Sequence, residues 1–357
     1  MAMQPQTAAK QVILIDYETG AVLYAKNADQ RMPTSSMSKV ISMYAVFEAL
    51  KSGQIALTDT FRVSEKAWRK GGSKMFVEVN KDVKIEDLIR GVIIQSGNDA
   101  TIVLAEGLSG GEEAFAIRLN EIAGKLGMKD SNFVNASGWP DDNHYSTAKD
   151  LAKLGRALIV NFPEYYGYYA EKEFTYNDIK QPNRNPLLYQ NIGADGIKTG
   201  HTDAGGFGLI GSGVAPDGRR VIMVVNGLDS TKARAQESKK LLSWGMANFK
   251  KETVFTAGEA VKSVPVVLGK QAHVEAVLKE DIAMILPRNA DDEIKVEVQF
   301  NTPISAPVAA GTKVGTLTIT PPDMQPVSAA LYAASDVEKL GFFKRAIANG
   351  KQLVIGR

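Results

Sequence analysis

The 357-residue chain contains no cysteine. That excludes disulfides, thiolate nucleophiles and cysteine-ligated zinc. It leaves the compartment open, because exported and cytosolic proteins alike can do without the residue. Histidine is scarce: His144, His201 and His273 are the only three. None stands in an H-x-x-x-H or H-E-x-x-H spacing, so no histidine-built metal site is expected, and nothing implies a cofactor. No run of about 18 apolar residues is present, so no membrane-spanning helix is expected. The formal net charge is only +2, which argues against a dedicated nucleic-acid surface. The first ten residues, MAMQPQTAAK, lack the apolar core of a secretory signal. The chain then reads either as cytosolic or as a mature form with its leader replaced by a short start.

What remains is an ordinary globular composition, 44% hydrophobic and 23% charged, long enough for two domains. QVILID (11–16) and AVLYA (21–25) read as strands around a turn, and a helix follows from about Ser36 to Leu50. KIEDLIRGVIIQ (84–95) and DATIVLAEGL (99–108) read as helices broken at Ser96-Gly97-Asn98, and further helical patterns cover 112–126, 148–160 and 231–249. GFGLIGSGV (206–214) and RRVIMVVNGL (219–228) are β-rich. Strands at both ends with helices between predict an α+β domain over 1–250: an antiparallel sheet covered by a helical region. After Lys251 short β-type runs at regular spacing predict a small β-sandwich or barrel over 251–335. Residues 336–357 read as a helix carrying Phe342, Phe343, Ile347 and Leu353 among basic residues. A peripheral membrane anchor is one reading of it, and a helix packed on its own domain is the other.

Ser36 and Lys39 share a helix face at i and i+3, and unpaired N–H groups of a first turn can hold an anion. Alone, S-x-x-K is commonplace, with Thr34 or Ser35 capping the helix and Lys39 in solvent. Two further stretches change that. Ser96-Gly97-Asn98 lies 60 residues after Ser36, and Lys198-Thr199-Gly200 lies 162 residues after it. S-x-x-K, S-x-N and K-T-G in this order form the signature of serine β-lactamases and penicillin-binding proteins. A Ser-His-Asp triad has only Gly107-Leu108-Ser109-Gly110-Gly111 to offer. That string lies between helical runs, not between a strand and a helix, so it reads as a turn.

The chain resembles the D-alanyl-D-alanine carboxypeptidases among the low-molecular-mass penicillin-binding proteins. VSEKAW (63–68), LIRGVIIQSGNDA (88–100), DGIKTGHTDAGGFGL (195–209) and ESKKLLSWG (237–245) all carry the likeness. AWRKGGSKMF (67–76) looks shorter than the corresponding family loop. The resemblance implies a β-lactamase/transpeptidase-like domain followed by a β-rich domain. Ser36 is then the nucleophile, Lys39 its base, and Lys198 a cation across the cleft that lowers the pKa of Lys39. Ser96 would relay a proton, and Asn98 would hold the substrate amide and position Lys39. The backbone N–H groups of Ser36 and His201 would form the oxyanion hole. Thr199, Gly200, Thr202, Arg184 and Arg234 would bind the substrate and its terminal carboxylate. The implied partners are the peptidoglycan stem peptide and β-lactam antibiotics. The implied location is outside the bacterial cytoplasmic membrane, with the leader absent from this chain. Two rivals stand beside this. A class A β-lactamase adds a deacylating glutamate, for which the family string E-x-x-L-N is missing here. A catalytically silent wall-binding protein would not need all five polar residues.

Overall fold

The strands at the two ends of the N-terminal region meet in one sheet. A computed structural model describes residues 4–289, 294–301, 303–322 and 324–341. The chain divides into two units between Ala247 and Asn248.

In the first unit, β1 (Gln11–Asp16) and β2 (Val22–Lys26) precede a 3-10 turn, Ser35–Ser38, that runs into α1 (Lys39–Lys51). Next come β3 (Thr60–Arg62), α2 (Glu65–Arg69), β4 (Asp82–Lys84), α3 (Ile85–Ile93), α4 (Asn98–Ser109), α5 (Glu112–Lys125), α6 (Ala148–Asn161) and α7 (Pro163–Tyr166). The hairpin β5 (Glu173–Tyr176) and β6 (Ile179–Pro182) leads to β7 (Ala194–Thr202), β8 (Gly206–Val214), β9 (Arg220–Leu228) and α8 (Thr231–Ala247). The sheet runs β2-β1-β9-β8-β7, antiparallel throughout, with β7 at one edge.

Both faces of this sheet are covered, which is why β9 reads as a continuous apolar run. Successive side chains point to opposite faces. Gly155 of α6 lies against Ile197, Ile210 and Ile222, while Gly245 of α8 lies against Leu14 and Val221. A bulky residue at either glycine would force a helix off the sheet. α1 is buried around its whole circumference, with Val40, Ile41, Met43 and Phe47 inside the main core. A helix apolar on every side belongs in a core, and this one runs back from the 3-10 turn into the interior. Ser109 closes α4, followed by Gly110 in the left-handed conformation (φ 78°), so the G-x-S-x-G string is an interhelical turn.

The second unit holds β10 (Phe249–Phe255), β11 (Ala260–Val267), β12 (His273–Val277), β13 (Ile282–Pro287), β14 (Lys295–Phe300), β15 (Ile304–Ser305), β16 (Lys313–Thr320) and β17 (Val327–Ala333). β10 pairs with β13, and the other six form a sheet in the order β14-β16-β17-β12-β11-β15. Val264, Met284, Leu317 and Leu331 belong to a single core cluster of this unit. Two details depart from the sequence reading. β10 begins at Phe249, whose buried ring precedes the change of texture at Lys251. Residues 335–341 are not helical: Val337 is buried and bridges Val308, and Lys339 bridges Gly269. A β environment on both sides takes these residues in. The remainder of the expected helix, 342–357, lies outside the described residues.

Candidate active site

The 3-10 turn holding Ser36 is fixed by hydroxyls from three directions. Ser35 has φ 51° and donates its Oγ hydrogen to Thr202 Oγ1, 3.1 Å away at the end of β7. Thr34 Oγ1 bonds Ser38 Oγ, and Ser38 Oγ in turn meets His144 Nε2 at 2.8 Å. His144 Nδ1 accepts from Val134 N–H, so the ring proton sits on Nε2 and points at Ser38. Burial pushes His144 down to about 4, keeping it neutral. Neither Thr34 nor Ser38 caps a helix with its side chain. Their hydroxyls reach each other and His144 instead, and Ser35 reaches β7, so the capping expectation for this stretch gives way to tertiary bonds.

Lys39 is fully buried at the start of α1. Its Nζ donates to Ser36 Oγ at 2.8 Å, Asn98 Oδ1 at 2.7 Å and the Ser137 carbonyl at 2.7 Å. Burial first, then the Arg184 guanidinium, lowers its pKa to about 7; Asp99 opposes the shift and Lys70 adds to it. Lys198, expected as the cation that tunes Lys39, repels it in turn: burial first, then Lys39, Arg184 and Arg234, hold Lys198 well below the usual lysine range. Lys198 donates to Ser96 Oγ at 2.9 Å and to its neighbour's carbonyl, Thr199 O, at 3.1 Å.

Ser96 sits in the break between α3 and α4 at φ 60°, a conformation costly for a residue with a Cβ. The surrounding bonds hold it there. Asn98 opens α4 and ties Lys39 to the rim: its Nδ2 donates to Gly71 O, and its backbone N–H to Ser73 O. Asp99, next in the chain, is buried and accepts from the N–H groups of Met75, Phe76, Val77 and Ala100. It pins the rim segment at Met75, Phe76 and Val77 and makes no hydrogen bond to Ser36 in this network.

Gly200 explains the third residue of K-T-G. A Cβ there would lie 2.9 Å from Thr34 O and 3.2 Å from Met37 N, so only glycine lets β7 approach the turn this closely. Gly138 is tighter: at φ 77°, its Cβ would fall 1.8 Å from Ser35 O.

These elements enclose a cleft of about 250 Å³. Ser36, Ser96, Thr199, Gly200 and His201 line it, with Arg184 and Arg234. Arg234 is buried, donates to Gly200 O at 3.3 Å, and leaves its Nε unpaired. Burial, with Arg184 second, lowers Arg234 to about 10. Thr202 lies apart, its hydroxyl spent on Ser35 and Gly205, and it lines an adjoining cavity instead.

Residues 1–230 match the D-alanyl-D-alanine carboxypeptidase family. The chain belongs to that family. Residues 249–339 match a second domain, described as the C-terminal domain of penicillin-binding protein 5. The carboxypeptidase DacA of Haemophilus influenzae is 39% identical over 95% of this chain and 88% of its own. DacA of Escherichia coli K12 is 38% identical over 88% of this chain and 79% of its own. Among solved structures, penicillin binding protein 5 from H. influenzae superposes with a TM-score of 0.81, at 38% identity over 95% of this chain and all of that one. Penicillin-binding protein D2 from Listeria monocytogenes, in its ampicillin-bound form, has a TM-score of 0.62 at 30% identity over 68% of this chain and 99% of that one.

For a serine carboxypeptidase the sequence reading missed several neighbours. Ser73, Phe207 and Thr231 also line the cleft. Ser73 accepts from Arg184, and the Arg234 guanidinium lies 5.6 Å from the centre of the Phe207 ring. His144 and Asp99 were equally silent, because each acts through a contact made only in three dimensions. Among the described residues no cluster of three or more His, Asp or Glu could hold a metal.

Proposed function

We propose that the protein removes the terminal D-alanine from peptidoglycan stem pentapeptides through an acyl-enzyme on Ser36, and that β-lactams acylate the same hydroxyl. One observation carries this reading. Ser36, held by Lys39, shares one cleft with Arg184, Arg234 and Ser96, to which Lys198 donates, and none of these four cations forms an ion pair among the described residues. Such a cleft suits a substrate that brings its own carboxylate, next to a bond for a serine to attack.

Neutral Lys39 takes the Ser36 proton while Oγ attacks the carbonyl carbon between the two D-alanines. The N–H groups of Ser36 and His201 receive the oxyanion. The intermediate collapses, the C–N bond breaks, and the leaving amine takes the proton held by Lys39, relayed through Ser96, which Lys198 holds; Lys39 is neutral again. Water then attacks the ester, returning the proton to Ser36 and releasing the shortened peptide. Arg234, Thr199 and Thr231 hold the terminal carboxylate, with Arg184 at the mouth. Asn98 keeps Lys39 in place and faces the substrate amide.

The β-lactamase reading fares less well. Among the described residues no carboxylate lines the cleft to activate a deacylating water, and Asp99 is engaged by four N–H groups. A silent wall-binding protein has no use for a lysine depressed to about 7 beside a serine. The substrate implies action at the outer face of the cytoplasmic membrane. The test is mass spectrometry of a penicillin adduct with Ser36→Ala as control, alongside release of D-alanine from a pentapeptide. A stable adduct on Ser36 with turnover of the peptide supports the reading. Adduct formation without D-alanine release, or rapid penicillin hydrolysis, overturns it.

A further inference from the structure

Between α5 and α6 the chain runs past the nucleophile's turn as Asn135-Ala136-Ser137-Gly138-Trp139, a stretch outside the three motifs. Two consecutive peptide carbonyls of it face α1. The Ala136 carbonyl accepts from Ser42 Oγ at 2.6 Å, and the Ser137 carbonyl accepts from Lys39 Nζ at 2.7 Å. Lys39 and Ser42 stand at i and i+3, on one face of the helix. The N–H side of the same two peptide units belongs to Asn135. Its Oδ1 accepts from the N–H groups of Ser137 at 3.2 Å, Gly138 at 2.9 Å and Trp139 at 3.0 Å. Its Nδ2 donates to the Trp139 carbonyl at 2.9 Å, which settles which end of the amide is oxygen.

We propose that Asn135 is a positioning residue for acylation: by holding the Gly138 N–H it aims the Ser137 carbonyl at Lys39, and so turns the lone pair of the neutral amine onto Ser36. This role rests on Lys39 serving as the base in the acyl-enzyme reading above. A trans peptide unit is planar, and its N–H and C=O point in opposite directions. Anchoring the Gly138 N–H on Asn135 therefore sends the Ser137 oxygen the other way, to Lys39. A neutral amine has two hydrogens and one lone pair. Lys39 Nζ has three polar neighbours: Asn98 Oδ1 at 2.7 Å, Ser137 O at 2.7 Å and Ser36 Oγ at 2.8 Å. The first two can only accept, and Asn98 is kept in that sense because its Nδ2 donates to Gly71 O. They take both hydrogens. The lone pair is left for Ser36, whose hydroxyl can donate. Without the Ser137 carbonyl the amine is free to turn a hydrogen toward Ser36, and in that orientation it cannot take the proton. Glu112 does not supply the same hold. Its Oε1 accepts from the Ala136 N–H at 3.4 Å, two residues before Gly138, and it is paired with Lys66 at 3.0 Å.

Asn135→Ala and Asn135→Asp test this through the pH profile of single-turnover acylation of Ser36 by a chromogenic β-lactam. Alanine removes the acceptor. The plateau rate should fall about ten- to a hundredfold, the worth of a hydrogen bond to a charged group. A carbonyl acceptor favours the charged amine, so its loss should move the rising limb about one unit lower. Aspartate keeps an oxygen for the three N–H groups and adds an anion. Its plateau should stay near that of the wild type, and its limb should move to higher pH. The other groups acting on Lys39 (Arg184, Lys70, Asp99, Lys198 and neutral His144) are the same in all three proteins. A residue that only stabilises its loop would lower the melting temperature and leave the limb in place. A limb unmoved in either folded variant, or an aspartate plateau as low as that of alanine, overturns the proposal alone. If the alanine variant does not fold, the direction of the aspartate shift decides by itself. A wild-type protein that is never acylated on Ser36 removes the acyl-enzyme reading, and the role of Asn135 falls with it.

Discussion

The acylation rate should carry the signature of one buried amine. Lys39 moves from the ordinary lysine value of 10.5 to about 7, chiefly because burial disfavours its charged form. At about 1.36 kcal/mol per unit, this amounts to roughly 5 kcal/mol between the two protonation states. With an unshifted value of about 10.4, less than ~0.1% of the amine would be neutral at pH 7. With the shift, about half of it is, a gain on the order of a thousandfold in competent base. Single-turnover acylation by a chromogenic β-lactam, followed across pH, should therefore rise about tenfold per unit below 7 and level off above it. Arg184→Gln should move the rising limb to higher pH, because that guanidinium is the leading charge holding Lys39 down. The unfolded chain stays protonated here up to about 10.4, while folded Lys39 is neutral above about 7. The unfolded state then binds more protons in that window, so folding stability rises with pH across it. Lys39→Met should flatten that rise. A rate that is level down to about pH 5, or that climbs unbroken through the ordinary lysine range, would refute the reasoning.

Three other outcomes follow from the same geometry. Arg234→Ala should lower kcat/KM for a free-carboxylate peptide by about ten- to a hundredfold, the worth of a charge-assisted hydrogen bond, and should barely affect the matching C-terminal amide. Gly200→Ala should slow acylation more than tenfold while thermal melting still shows a folded protein, since the new Cβ presses on Thr34 O beside the nucleophile. His144, near 4 when folded, is protonated in the unfolded chain below about 6.5. Stability should therefore fall as pH drops from about 6.5 to 4, by up to roughly 3 kcal/mol. His144→Gln should remove that slope in chemical denaturation.

The three short motifs were legible because each fixes a chemical group at a chain position that needs no context to name. The structure joins them through two hydrogen bonds, Lys39 to Asn98 and Lys198 to Ser96. The sheet was legible for a related reason: runs such as RRVIMVVNGL are apolar on both faces only where both faces are covered. What the sequence hid is whatever depends on approach. Nothing in PTSSMSKV tells that Ser35 reaches β7 or that Ser38 reaches a histidine 106 residues away. β17, VSAALYA, is built largely from alanine and serine and carries little strand propensity, so only pairing with β16 and β12 makes it one. Lys39 shows the same division most clearly. Its position marked it as the base, and Lys198 looked like the cation to tune it. A motif cannot report depth: complete burial is the largest cause of the shift, and Arg184, a residue that no motif contains, adds to it.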